Sequence, residues 1–172
     1  KDALYAAAKL LQYLHDELDK LDKALVYTTG EIVCHPNVHT VIPDFVEFSI
    51  DARHEDPKVI EQVVEVIKNM PKEIVGCTTG YERAWSRDTV YYDEKLVGYV
   101  TEAVKELGYS NQRINSGAGH DAQFVSYMMP TTMIFVPSKD GHSHCEEEFT
   151  PVDQCTKGAS VLLNAVLKCD AQ

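Results

Sequence analysis

The stretch from Ser116 to Thr150, SGAGHDAQFVSYMMPTTMIFVPSKDGHSHCEEEFT, constrains this chain more than any other. A glycine-containing turn leads into a short helix expected over Asp121–Met129. A brief apolar run follows, Thr132–Val136, stopped by Pro137. Such a run has the profile of a strand buried on both faces, as in a parallel α/β sheet. The glycines of Asn115–Gly119 permit positive φ and allow a ligand to approach backbone N–H groups. The loop after the run, Ser138–Glu148, carries His142 and His144 beside Glu146, Glu147 and Glu148. Loops at the ends of buried parallel strands are where open α/β sheets place their sites. Imidazoles next to carboxylates suit a divalent ion, zinc foremost. The same residues also suit a plain surface, with glycines serving a turn, a solvated acidic face and a His-x-His of no consequence.

Around this stretch the 172 residues are 44% hydrophobic, enough for one core or two small ones. A formal charge of −11 argues against nucleic acid and anionic membranes as partners. No apolar run approaches a membrane span, and the N-terminal KDALYAAAKL lacks the plan of a signal peptide. The cysteines at 34, 77, 145, 155 and 169 are odd in number and scattered, which fits reduced thiols in cytoplasm.

In chain order, Asp2 caps a helix running to about Lys20, with Leu4, Ala7, Ala8, Leu11, Leu14 and Leu18 as its apolar stripe. Ala24–Cys34 reads as a strand with a bulge at Gly30. Phe45–Arg53 alternates strictly, Val46, Phe48, Ile50 and Ala52 against Glu47, Ser49, Asp51 and Arg53. Asp56-Pro57 opens a helix to about Asn69, and Glu73–Glu82 reads as one last strand. This order is one strand short of a split βαβ sandwich. A polar, aromatic stretch, Tyr81–Asp93, marks the crossing between modules and holds Trp85, the single tryptophan. Beyond it come a helix over Glu94–Leu107 ended by Gly108, and a last helix from a capping box at Thr150–Asp153. The buried stripe of that last helix is expected at Cys155, Ala159, Leu162, Leu163 and Val166.

SGAGHDAQ followed by PTTMIFVPSKDGHSHCEEEFT resembles the C-terminal signature of zinc-dependent amidohydrolases of the N-carbamoyl-L-amino-acid hydrolase and allantoate amidohydrolase type. These are two-metal hydrolases of the aminoacylase and carboxypeptidase superfamily. The resemblance covers essentially the whole chain. It implies an α/β architecture in which residues 1–84 form a ferredoxin-like lid and dimerisation module lacking its first strand. Residues 85–172 would close the catalytic domain. The N-terminal catalytic half, which carries most metal ligands and the general-base glutamate, would lie outside this chain, so the chain alone is expected to be inactive.

Carried over residue by residue, the resemblance makes His144 a metal ligand, with Glu147 and Glu148 orienting it, and His120 a donor to the developing oxyanion. Asp121 would hold the His120 ring or its turn. Ser116, Gly117, Gly119 and Gln123 would meet the substrate, as would Asn37 in the turn PNVHTVIP. Arg53, closing FVEFSIDAR, would grip a substrate carboxylate with its planar fork. Thr40 and Asp44 depart from the asparagine and glycine common in the family, and His142 stands where an apolar residue is usual. The implied cofactor is a pair of divalent metals, zinc, or manganese, cobalt or nickel. The implied partners are a small carboxylate-bearing substrate, the missing catalytic half and a second copy paired through the lid. A non-catalytic dimerisation or binding fragment, and a dipeptidase or aminoacylase of the same superfamily, are the alternatives.

Overall fold

A computed structural model describes residues 1–171, which divide after Thr89 into two compact units. In the first, helix α1 (Ala3–Leu18) is started by Asp2, whose carboxylate accepts the Tyr5 N–H at 3.0 Å. This satisfies a donor that the helix itself leaves open. Helix α2 (Pro57–Lys68) starts the same way, with Asp56 accepting from the Lys58 N–H at 2.9 Å and Pro57 at the first position. Between them, β1 (Val26–Thr28) and β2 (Ile32–His35) run antiparallel to β4 (Asp51–Arg53) and β3 (Phe45–Phe48). Val26 pairs with Arg53 and Thr28 with Asp51, whereas Ile32 pairs with Phe48. Thr29, Gly30 and Glu31 therefore face only Ser49 and Ile50, so the expected bulge at Gly30 is present and divides the expected single strand in two. Ser49 fastens it from both sides, its N–H donating to the Glu31 carbonyl and its hydroxyl accepting the Glu31 N–H.

Leu10, Leu14 and Met70 form the buried heart of this unit, with Tyr13, Phe48, Ile50, Val66, Ile67 and Ile74 packed on it. Along α1 the buried face is Ala6, Ala7, Leu10, Leu14 and Leu18, so Leu4, Ala8 and Leu11 of the expected stripe fall outside it. Tyr27 reaches across to α1, its hydroxyl bonded to the Asp19 carboxylate and its ring edge-on to His15. Burial and that carboxylate push the phenol up to about 12. The strand expected over Glu73–Glu82 is instead a small hairpin, β5 (Glu73–Ile74) and β6 (Cys77–Thr78). Val75 and Gly76 between them both have positive φ, 51° and 76°, the combination of a type I′ turn. A β-branched residue there is uncommon, which is why the turn escapes a reading for glycine and asparagine.

In the second unit, α3 (Glu94–Glu106) is capped by Asp93, which accepts the Leu96 N–H at 2.9 Å. It packs along α5 (Val152–Asp170) through Tyr99, Ala103, Val104, Val161 and Ala165. The last helix thus buries a different face from the one expected. Cys155, Ala159, Leu162, Leu163 and Val166 are all exposed, because α5 meets α3 on the opposite stripe. Its start also differs, since Pro151 occupies the cap position in an extended conformation and no side chain caps the helix. Thr132–Val136 forms no ladder among the described residues, although Thr132, Met133, Ile134 and Val136 are half-buried.

Helix α5 crosses this run at Gly158, where an added Cβ would stand 2.5 Å from the Val136 Cγ1. Valine is stiff at χ1 and gives way poorly. Gly158→Ala is therefore expected to destabilise the unit by about 1–3 kcal/mol despite the better helix propensity of alanine. A thermal melt unchanged or raised by this substitution would show that the two segments separate freely.

Candidate functional site

The second unit builds its chemistry on two consecutive turns. Ser116 opens the first, its Oγ accepting the Ala118 N–H at 3.3 Å. A hydroxyl closing its own turn does not need a left-handed residue, and Gly117 accordingly lies outside the positive-φ region expected for it. An added Cβ at Gly117 would meet nothing within 4 Å, so the turn is open on that side. His120 then caps α4 (Asp121–Ser126), a helix shorter than the one expected to Met129. Its N–H donates to Gln123 Oε1 at 3.1 Å, and its Nε2 lies 2.7 Å from Ser116 Oγ. The Phe135 ring meets the imidazole edge-on, centroids 5.5 Å apart.

Two of the expected site residues show these contacts here. Gln123 spends its side-chain oxygen on the backbone N–H of His120, closing the start of α4, and its amide NH2 is the part left for a ligand. Asp121 is exposed at the first position of α4 and makes no hydrogen bond to the His120 ring, because successive residues leave a helix start in different directions. Two signals were hidden in the sequence. Ser116, read there as a source of backbone contact, works through its hydroxyl. Phe135, read as strand core, is the surface against which His120 lies. A serine four residues before a histidine in a tight turn is the only trace of the pair.

The second turn is the loop between Lys139 and Phe149, drawn closed at its neck by the Lys139 N–H to the Phe149 carbonyl at 2.7 Å. Within it, Asp140 and His144 have φ of 55° and 59°, and Gly141 has 73°. A non-glycine residue in the left-handed region costs about 1–3 kcal/mol and persists only where its surroundings impose it. At His144 the imposing group is Glu148, whose carboxylate accepts the His144 N–H at 2.8 Å. Glu148 thus braces the backbone of the histidine and not its ring. The His144 imidazole is exposed and makes no hydrogen bond among the described residues; Glu147 and His142 are likewise exposed.

A catalytic zinc takes three protein ligands and a structural one four. Among the described residues no three His, Cys, Asp or Glu side chains gather where they could hold an ion. His144 fits one coordination position, as an accessible nitrogen donor on a fixed backbone, and further ligands would have to come from elsewhere.

In the first unit, Arg53 Nε and Nη2 donate to the two carboxylate oxygens of Asp51, at 2.7 Å and 3.2 Å. The expected anion-binding fork is thus engaged by a neighbour on its own face of β4. The hydrogen bond to Arg53 holds the Asp51 carboxyl below the usual carboxylate range, and Asp51 raises the guanidinium further. Asn37 is exposed, with φ of 57°, in the loop between β2 and β3.

Among the described residues no helix is long and apolar enough to cross a membrane. Known proteins resemble the chain along almost its whole length. It is 37% identical over 98% of its residues to the allantoate amidohydrolase of Bacillus subtilis (strain 168), covering 42% of that protein. To the N-carbamoyl-L-amino-acid amidohydrolase of Rhizobium meliloti it is 34% identical over 95% of its residues, covering 40% of that protein. An amidase of the hydantoinase/carbamoylase family from Burkholderia multivorans superposes with a TM-score of 0.77 at 35% identity, over 97% of this chain and 41% of that one. The crystal structure of AtUAH in complex with glyoxylate does so with a TM-score of 0.84 at 26% identity, over 99% and 42%. The α/β architecture, helices with small sheets, is thus that of these amidohydrolases, and the chain spans about 42% of the length of the curated relatives it matches. Residues 1–168 match the profile of peptidase family M20/M25/M40, and the chain belongs to that family.

Proposed function

We propose that this chain is the lid and the closing part of the catalytic module of a metal-dependent amidohydrolase. It would act on linear C–N bonds in N-carbamoyl-L-amino acids or a related ureido acid. The observation that carries the reading is His144, held at a φ of 59° by Glu148 with its imidazole exposed. A backbone kept in an unfavourable conformation to present an unbonded ring suits a ligand prepared for an ion. Supporting it, the M20 family is generally metal-dependent, typically on zinc, and the relatives named above are amidohydrolases.

On this reading His144 holds one of two divalent ions, and the remaining ligands and the general base come from the rest of the enzyme. When bound, a divalent ion supplies Lewis-acid polarisation of the amide carbonyl. His120 donates a hydrogen bond to the carbonyl oxygen as negative charge grows on it. Arg53 binds the substrate carboxylate, with Asp51 keeping the guanidinium in plane, and Asn37 adds a polar contact. The exposed apolar stripe of α5, Leu162, Leu163, Val166 and Leu167, supports a partner segment that covers it. That partner is the other catalytic half, and the lid ribbon pairs two copies. The cysteines, all free, suit the cytoplasm.

The test is a panel of N-carbamoyl amino acids, allantoate and dipeptides offered to the full-length protein. Ureido acids should be hydrolysed, with activity lost on chelation and restored by zinc, manganese, cobalt or nickel. Preference for dipeptides would move the assignment to the dipeptidases. Arg53→Ala should raise KM for carboxylate substrates roughly 10- to 100-fold, the value of one charge-assisted pair, and leave kcat nearly unchanged. An unchanged KM would remove Arg53 from the binding site.

A further inference from the structure

We infer that Ser116 is a positioning residue for His120. The inference rests on the reading above in which His120 acts at the scissile amide. Two restraints meet on the His120 ring and a third holds its backbone. Ser116 Oγ lies 2.7 Å from Nε2, Gln123 Oε1 takes the backbone N–H at 3.1 Å, and the Phe135 ring closes one side with centroids 5.5 Å apart. Ser116 is itself fixed, because its oxygen accepts the Ala118 N–H at 3.3 Å. His120 is consequently half-buried while residues 111–119 before it are exposed.

The choice of a hydroxyl has a chemical consequence. A carboxylate partner would favour the imidazolium, whereas a hydroxyl can donate to a bare ring nitrogen or accept from a protonated one. Ser116 can therefore hold the ring in one orientation without drawing a proton onto it. The group bonded to one nitrogen decides what the other presents, so the Ser116 bond leaves Nδ1 as the nitrogen to be offered. A serine and histidine at this distance also have the geometry of a nucleophile and its base. The third member is missing, since no carboxylate bonds to the His120 ring among the described residues. The arrangement orients the imidazole, and a displacement of one ångström in a group acting at the reacting centre is enough to cost about a hundredfold in rate.

Ser116→Ala, Ser116→Thr and His120→Ala in the full-length protein, assayed for kcat and KM on one N-carbamoyl amino acid across neutral pH, separate the roles. Ser116→Ala should lower kcat roughly tenfold with KM within about twofold, and Ser116→Thr should recover most of the loss. The ring-nitrogen NMR shifts of His120 should move in Ser116→Ala, because Nε2 loses its hydrogen-bond partner. That readout is independent of turnover, and a merely structural role would not move it. Unchanged kcat and unchanged ring shifts would overturn the inference, as would a raised KM at full kcat, which makes Ser116 a substrate ligand. Loss as complete as in His120→Ala would make it a nucleophile and overturn it too. If His120→Ala itself keeps full activity, the role of His120 fails first, while the ring shifts still report whether Ser116 orients it.

Discussion

Replacing His120 by alanine in the full-length protein should lower kcat for a ureido acid by roughly 10²- to 10³-fold, the range for loss of one oxyanion donor. KM should change little, because the interaction strengthens only as charge moves onto the carbonyl oxygen. The structure makes the magnitude testable by confining the ring. Its Nε2 is bonded to Ser116 at 2.7 Å and Phe135 lies against it. Removing the imidazole keeps the bond from the backbone N–H of residue 120 to Gln123 at the start of α4. Single-turnover measurements at saturating substrate would isolate the chemical step. A variant with unimpaired kcat would leave His120 as a packing residue and remove this turn from the reaction.

Leu14→Ala should destabilise the first unit by about 2–5 kcal/mol, the range for emptying a well-packed leucine site. Leu14 is 2% exposed and belongs to the Leu10–Leu14–Met70 cluster, on which Phe48 and Ile50 of the ribbon and Val66 and Ile67 of α2 converge. Helix, ribbon and hairpin therefore share one point of support. Deleting its methyl groups leaves a cavity that three different elements would have to close together. Hydrogen exchange of the α1 and β3 amides should accelerate together in the variant. If α1 alone loosened, the elements would not be cooperating through Leu14.

Local chemistry was readable wherever a side chain acts on its own neighbourhood. Asp2 and Asp56 announce their helices, and Gly30 announces its bulge. The helix faces were harder. Helix α5 carries apolar residues on two stripes, and periodicity reports that a face is apolar without saying what covers it. The stripe of Leu162, Leu163 and Val166 was the better candidate by composition, yet Val161 and Ala165 are the residues buried. Likewise Thr132–Val136 looks like a strand, but a ladder needs a second segment and none in the described residues supplies one. Among the candidate functional residues, the blocks carrying His120 and His144 in the second unit and Arg53 in the first stood out by residue type. What each side chain touches did not, because the Ser116 hydroxyl, the Gln123 cap and the Asp51 fork depend on rotamers that no spacing rule specifies.

The extra residue beside Ser49 does more than bend the ribbon. From β3 to β4, Val46, Phe48, Ile50 and Ala52 are all even-numbered and half-buried. Their partners are Cys34 and Ile32 on one side of the bulge but Tyr27, an odd-numbered residue, on the other. The bulge is where the pleat changes parity, so that Tyr27 can reach Asp19 at the end of α1 while Cys34 keeps to the same face. Trimming a single amino acid from this corner would turn one arm of the ribbon inside out. At Gly30 an added Cβ would meet nothing within 4 Å, so the corner has room for a side chain but not for a different length.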